Sequence, residues 1–458
     1  MSDILSEAYN QFLDYVRPLE PDDPRRVPLA ESSVWGTGDS CVDVLGTSIT
    51  MRGGPEPAYQ LFSGFRGSGK STELKLLGKN LAEKGYEVIY VDSARYLNLT
   101  EPTSITQVLI AIAAGMDSHL EAVAQASKAE RLVRGFWERL HGLLTSRIAV
   151  EKATIGVPDV ATLELSLKQD ATFRQQLEDA TQGRLPEFAR ECQGFMDEAL
   201  ASLKRLRPSS AGVVLIFDSF ERLRGDLRSE EVWSSVEKVF VRDKEFLRIP
   251  CHAIYTVPPW MAFLEFAPGT GFDIVQVLPM CKIFDRESNQ DDENGIGVMF
   301  QMLERRADLA RLFAERYVSL RPLVTASGGY PRDLLRMISH LLVRMRIRNL
   351  AIPAPPAAVE PLVEEVIQEH ARAYDNAICD EDIEFLAQVG RDRAISHFRR
   401  GDIHRIARLF DHHFILCYYN GEPWYDLHPL ARQSPKLKSA LQGPRKGLKS
   451  KSAPHKNG

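Results

Sequence analysis

The stretch Gly64-Phe65-Arg66-Gly67-Ser68-Gly69-Lys70-Ser71 fits the spacing GxxxxGK[ST], and its residue types converge on one chemistry. Glycines remove the Cβ atoms that would stop successive backbone N–H groups from pointing inward, and the lysine adds a mobile ammonium. The serine supplies a hydroxyl oxygen where a metal could lie. Residues 64–72, Thr72 included, are therefore expected to cradle a polyphosphate at the N-terminus of a helix, where partial positive charge gathers. Lys70 is expected to reach the β- and γ-phosphates of ATP, and Ser71 to ligate Mg²⁺. The dinucleotide pattern GxGxxG is not met, because the order here is GxxGxGK.

Such a loop calls for a second feature, an apolar strand ending in a carboxylate that holds the metal from the other side. Val213-Val-Leu-Ile-Phe-Asp218 has that form, so Asp218 is the second metal ligand. Many ATPases of this type carry a glutamate directly after the aspartate. Here Ser219 follows, and the nearest acid is Glu221. Glu221 is the candidate for positioning the attacking water, against the alternative of an ordinary helix-start carboxylate. Thr256 ends the apolar CHAIYT run and is either a sensor of the γ-phosphate or a plain strand-end threonine. Arg332, in SGGYPRDLLRM, falls at a helix N-terminus, where a cation is unfavourable unless an anion lies nearby. ATP would be that anion.

These residues need elements to position them. From Tyr59 the order is apolar strand, glycine loop, a helix with Leu74, Leu77 and Leu81 on one face ending near Gly85, and the strand YEVIYVD at 86–92. That is the start of a parallel α/β sheet. The runs at 211–218, 251–259 and 272–284 continue it as strands buried on both faces. Between about 104 and 206 the pattern is helical, with Leu185, Phe188, Cys192, Phe195, Ala199 and Leu203 recurring every three or four residues. Within this insertion TIGVPDVATLELSL, 154–167, alternates locally and suggests a hairpin. Helices are expected at 4–16, 229–246, 296–318 and 331–348, and RPLEPDDPRRVPL reads as an extended arm packed on the domain that follows.

The domain division is an N-terminal helix and arm (1–54), a phosphate-loop core (55–290), a helical lid (291–350), a proline-rich linker AIPAPPAAVEP (351–361), a small domain (362–433) and a tail (434–458). In the small domain EDIEFLAQV and DIHRIARLF are short amphipathic helices, and FILCYYNGEPWYDL is two aromatic runs around the hairpin turn Asn420-Gly421. Helix, helix, hairpin is the winged-helix order. Its second helix offers only Arg405, Arg408 and His404 beside Asp402 and Asp411, which favours protein contact or autoinhibitory packing over DNA reading. Trp424 and Tyr425 read as core. From Arg432 onward there are eight Lys or Arg and no Asp or Glu, so the tail is expected to be disordered. It is either a solubilising tail or a contact for an acidic partner.

Composition sets the outer bounds. With 458 residues, 44% hydrophobic and 26% charged, the chain is a globular protein of more than one domain. A net charge of −5 makes any attraction to nucleic acid or anionic membrane a local matter. The six cysteines form no CxxC pair, which argues against a zinc site and fits a reducing cytosol. The acidic N-terminus is unlike a signal peptide, and no apolar run approaches the roughly 20 residues needed to span a bilayer. A cytoplasmic location with no membrane contact is the expectation.

The strings SGFRGSGKSTEL, VVLIFDSFERL, IYTVPP, SGGYPRDLLRM and LFDHHFILCYYNGEPWYDLHPL together resemble the AAA+/STAND group of P-loop ATPases, in the prokaryotic branch that joins such a module to a winged helix. The resemblance spans roughly residues 55–433. It implies a five-stranded sheet, a lid bearing a sensor arginine (Arg332), a sensor polar residue (Thr256) and switching under nucleotide control. It also implies a signalling role, in several members defence against phage, with a protein partner or self-association. Ser219, where an acid is usual, implies slow hydrolysis. Arg242 and Arg248 both lie where an arginine finger could be sought. The alternative is an ATP-regulated DNA-binding protein that acts through the winged helix and basic tail.

Overall fold

The computed structural model describes residues 2–15, 17–27, 40–52, 56–128, 135, 136, 138–140, 160–224, 230–263, 271–395 and 400–442. At its centre is a five-stranded parallel sheet made of β1 (Tyr59–Gly64), β2 (Tyr86–Asp92), β3 (Gly212–Asp218), β4 (His252–Val257) and β5 (Ile274–Leu278). The order across the sheet is β2-β3-β4-β1-β5. This is a P-loop NTPase sheet with added helices, the fold class expected. The strands are β-branched and aromatic, and β1, β3 and β4 are buried over nearly their whole length, as a sheet covered on both faces requires. Because β4 lies between β1 and β3, the C-terminal ends of all three meet above one part of the sheet. Phe62 pairs with Thr256, and Phe217 pairs with Tyr255. One step beyond, Asp218 comes alongside Thr256.

Ahead of the sheet lie α1 (Ser2–Leu13) and α2 (Cys41–Thr50), and α3 (Lys70–Glu83) follows the glycine loop. The proline-rich arm runs along α3: Glu20 pairs with Lys75, Asp22 with Lys79, and the Leu19 N–H donates to Thr72 Oγ1 at 3.1 Å. After β2 come a short turn, α4 (Ser93–Tyr96), and then α5 (Ile105–Ala126), α6 (Val160–Gln169), α7 (Ala171–Thr181) and α8 (Leu185–Leu206). The stripe expected on α8 is its buried face. The hairpin expected at 154–167 is not formed by its described part. Residues 160–167 lie in α6, where local i→i−4 bonding prevails over a short alternation that no strand among the described residues pairs; 154–159 lie outside the described residues.

The segment expected as one helix at 229–246 is α9 (Glu231–Glu237), a π turn over Lys238–Arg242 and a 3-10 turn over Lys244–Leu247. After β5, in the segment expected to form the lid, come α10 (Glu293–Glu304), α11 (Arg316–Ala326) and α12 (Pro331–Ile347), so the run at 296–318 is divided between two helices. The linker expected at 351–361 is shorter than its prolines suggest, because α13 (Pro356–Ala377) begins inside it. Pro356 occupies the first helical position, where a missing N–H costs nothing. Beyond it are α14 (Ile383–Asp392), α15 (Ile403–Asp411) and an antiparallel hairpin of β6 (Ile415–Tyr419) and β7 (Pro423–Leu427), followed by α16 (Pro429–Arg432) and α17 (Pro435–Gln442). The expectation of a wholly disordered tail is therefore corrected at its start, where Leu437 buries itself and α17 packs on α14. Among the described residues no helix is long and apolar enough to cross a membrane.

Candidate functional site

The glycine loop joins β1 to α3 through two residues that only glycine accommodates easily. Gly67 has φ +86°, and a Cβ there would lie 2.7 Å from Arg332 Nε. Gly69 has φ +104° and stands as the N-cap of α3. The turn folds Lys70 back over the loop, so that its buried ammonium donates to the Phe65 carbonyl at 2.8 Å and lies 3.3 Å from Glu221 Oε1. Burial pushes the Lys70 ammonium below its usual pKa, with Glu221 and Asp218 opposing the shift.

At the tip of β3 the Asp218 carboxylate accepts from the Ser219 N–H at 2.6 Å and from the Tyr90 hydroxyl. A side-chain hydrogen bond also joins it to Ser71, so the two oxygens expected to share a cation are neighbours. Burial, and then Glu221, raise the Asp218 carboxyl above the usual range. Ser219 takes the left-handed conformation, φ +71°, which is strained for a side chain of its type. The turn it makes returns Glu221 to Lys70. Burial works against the Glu221 charge, but Lys70, Arg222 and a hydrogen bond from Thr256 prevail and hold it below the ordinary glutamate range. Thr256 Oγ1 also accepts from the Phe220 N–H at 3.0 Å. Thr256 thus stands behind Glu221 and fixes it, and does not itself line the cleft.

The cleft over this loop is closed by two further walls. The arm contributes Leu19 and Arg26, and the lid contributes Met302, Arg306, Arg332 and Leu335. Several buried polar atoms around it have no hydrogen-bond partner: Ser68 Oγ, Glu221 Oε2, Arg332 Nε and Arg306 Nε. A buried donor or acceptor left unpaired costs about 1–3 kcal/mol, so their gathering at one cleft marks a place built for a polar ligand. Arg306 donates to the Met302 carbonyl at 2.9 Å, and burial, then Arg25, lower its pKa to about 10. The oxygen donors Ser71 and Asp218 suit a hard divalent cation such as Mg²⁺.

Neither a protein-family model nor a curated protein matches the chain. Among solved structures it is similar to the Aeropyrum pernix Orc1 protein in complex with DNA (12% identical, TM-score 0.34, covering 95% of this chain and 96% of that one). It is similar also to Cdc6p from Pyrobaculum aerophilum (13%, TM-score 0.37, 93% and 97%). A third is the Aeropyrum pernix ORC2 protein in its ADPNP–ADP complexes (12%, TM-score 0.40, 94% and 97%). At these identities and TM-scores, function has to be read from the cleft itself.

The C-terminal module meets the same loop. The Phe410 ring, from α15, lies 5.1 Å from that of Phe65, and His413 Nε2 lies 3.1 Å from the Arg66 carbonyl. The Tyr330 hydroxyl donates to that same carbonyl at 2.7 Å, and His413 stacks on Tyr330 with centroids 4.7 Å apart. Arg408 is engaged by Glu381 and Asp382, and Arg405 lies within ion-pair reach of Asp382. Trp424 is buried and stacks on Tyr418. Arg248 pairs with Glu245 next to Ile249, whose carbonyl accepts from Tyr59 at the N-terminal end of β1, away from this chain's own cleft.

Sequence reasoning did not single out Tyr90, Tyr330, Arg26, Arg306 or His413. Only Tyr90 left a signal: it precedes Asp92 by two in β2 and pairs with Ile216, two before Asp218, so it shares a face with Asp218.

Proposed function

We propose that the chain binds ATP with Mg²⁺ in this cleft, hydrolyses it slowly, and uses nucleotide state to control how the lid and C-terminal module sit on the phosphate loop. The observation that carries the reading is the meeting of Lys70, Ser71, Asp218 and Glu221 at one buried point above the sheet, with Arg332 reaching it from the lid. In it, the backbone N–H groups of residues 66–70 and the N-terminus of α3 hold the phosphates, and Lys70 leaves the Phe65 carbonyl to reach them. Ser71 and Asp218 hold the cation, whose chemistry is to neutralise charge on the phosphates. Glu221, fixed by Thr256, orients the attacking water. With the β- and γ-phosphates at Lys70, the part of the cleft lined by the arm and the lid is left for the nucleoside.

The finer reading, also implied by the resemblance, is a AAA+/STAND-type signalling switch with a winged helix, a protein partner or self-association, and a role in defence such as that against phage. Packing of α15 on the loop supports control of the loop over DNA reading. The helix spends its apolar face on Phe65 and Phe263, and its arginines face acidic residues of its own module.

The test is calorimetric titration of the full chain with ATP and Mg²⁺, together with phosphate release. Lys70→Ala is expected to abolish binding, and Asp218→Asn to spare binding but lose hydrolysis. ATP affinity unchanged in Lys70→Ala would refute the assignment.

A further inference from the structure

Arg332 and Asp333 are neighbours at the start of α12 and meet different partners. The Arg332 guanidinium lies against Gly67, while the Asp333 carboxylate, 3% exposed, points into the C-terminal module. There the Tyr374 hydroxyl donates to Asp333 Oδ2 at 2.8 Å, and His428 Nε2 lies 3.3 Å from the same oxygen. His428 Nδ1 accepts from the Leu430 N–H at 3.2 Å, which leaves the ring proton on Nε2, the nitrogen on the Asp333 side. Tyr374 and His428 stack with centroids 4.6 Å apart, and Arg336 Nη2 lies 3.3 Å from the other carboxylate oxygen.

The backbone ahead of α12 does not fix the helix by itself. Gly328 and Gly329 both have positive φ, +63° and +73°, a conformation in which glycine is free. What holds this joint is its surroundings. Gly328 is wedged by Leu416 and Pro429, its carbonyl accepts from the Tyr418 hydroxyl at 2.7 Å, and Tyr330 reaches the Arg66 carbonyl. Arg332 thus stands between a tie to the phosphate loop at Tyr330 and a tie to the hairpin module at Asp333.

We propose that Asp333 is the positioning residue of Arg332: clasped by Tyr374 and His428, it makes the reach of Arg332 into the cleft depend on the seating of the hairpin module. The inference rests on the nucleotide reading above. It adds the residue through which the module and the cleft communicate. Burial opposes the Asp333 charge, and the contact with His428 and the charge of Arg336 overcome it and hold the carboxyl well below the usual range.

The full chain is compared with Asp333→Asn, Tyr374→Phe, Arg332→Ala and the double variant Arg332→Ala/Asp333→Asn. Affinities for a slowly hydrolysed ATP analogue and for ADP are read by calorimetry, and hydrogen exchange across residues 415–427 is followed without nucleotide. Asp333→Asn and Tyr374→Phe are expected to speed hairpin exchange and to lower discrimination between analogue and ADP about tenfold, within the usual range of coupling between sites. ADP affinity should stay as in the wild type, and Asp333→Asn should add nothing in the Arg332→Ala background. Wild-type discrimination in both single variants, or an effect that adds in full to Arg332→Ala, overturns the positioning role. Unchanged hairpin exchange overturns the clasp. A wild-type chain that binds neither nucleotide overturns the nucleotide reading, and the positioning role with it, whatever the exchange result.

Discussion

Glu221 is the counter-ion of Lys70 and the proposed orienter of water, and a single substitution separates the two roles. It is the buried counter-ion of Lys70 at 3.3 Å, and its second oxygen has no partner. In the proposed nucleotide complex Lys70 turns to the phosphates, and a carboxylate already held charged and fixed by Thr256 becomes available to a water. General-base assistance contributes about 10²–10⁴ in rate, so Glu221→Gln is expected to reduce phosphate release by about a hundredfold or more while ATP affinity measured by calorimetry is retained. Turnover at the wild-type rate in this variant would leave Glu221 a counter-ion alone. The same residue shows what was legible in the sequence. Gly64 to Ser71 act through consecutive backbone groups, so their order alone announces the cradle. Glu221 reaches Lys70 only because Ser219 adopts a left-handed turn, and nothing in the residue type serine announces that conformation.

At the scale of elements, the sheet was readable because each strand is a short apolar run bounded by turn residues. The joints between elements were not. The α2 segment CVDVLGTSIT is rich in β-branched residues and contains a glycine, yet Val42, Leu45 and Ile49 fall on one face and bury it as a helix. The prolines near 351–361 read as a linker because composition does not say that one of them can open a helix. For α15 the sequence left protein contact or autoinhibitory packing open, and said nothing of where the helix would land. Phe410 is 1% exposed and touches Phe65 and Phe263, so truncating it should cost about 3 kcal/mol. Phe410→Ala is therefore expected to speed hydrogen exchange at residues 64–69 while leaving exchange in β3 unchanged. Equal protection of the loop in both chains would show that α15 does not hold it.

Over the whole molecule, the seam between the core and the C-terminal module carries a titrating group at the working pH. The Trp233 indole of α9 donates to Asp411 Oδ2 at 3.0 Å across this seam. Burial raises the Asp411 carboxyl to about 7, against the opposing pull of Trp233, Arg224 and Arg66. For an acid whose folded pKa lies above its unfolded value, the folded state binds the extra proton, so its contribution to stability is complete below about 4 and is lost as pH rises through about 7. Two neighbours act in the opposite sense. Burial, then Arg224, lower His412 to about 4, and burial, partly offset by Asp333, lowers His413 to about 3. Those histidines add stability as pH rises from about 4 for His412 and about 3 for His413 to the ordinary histidine value near 6.5, and are silent above it. The Asp411 effect is therefore isolated by comparing the wild type with Asp411→Asn, because both chains share the histidines. The melting temperature of Asp411→Asn relative to wild type is expected to be higher at pH 8 than at pH 5, with the difference growing mainly between pH 5 and 7. A difference independent of pH would mean that Asp411 is charged throughout and that the seam is set by its apolar contacts alone. In that case Trp233 and Phe410, not a proton, would decide how firmly the module sits on the phosphate loop.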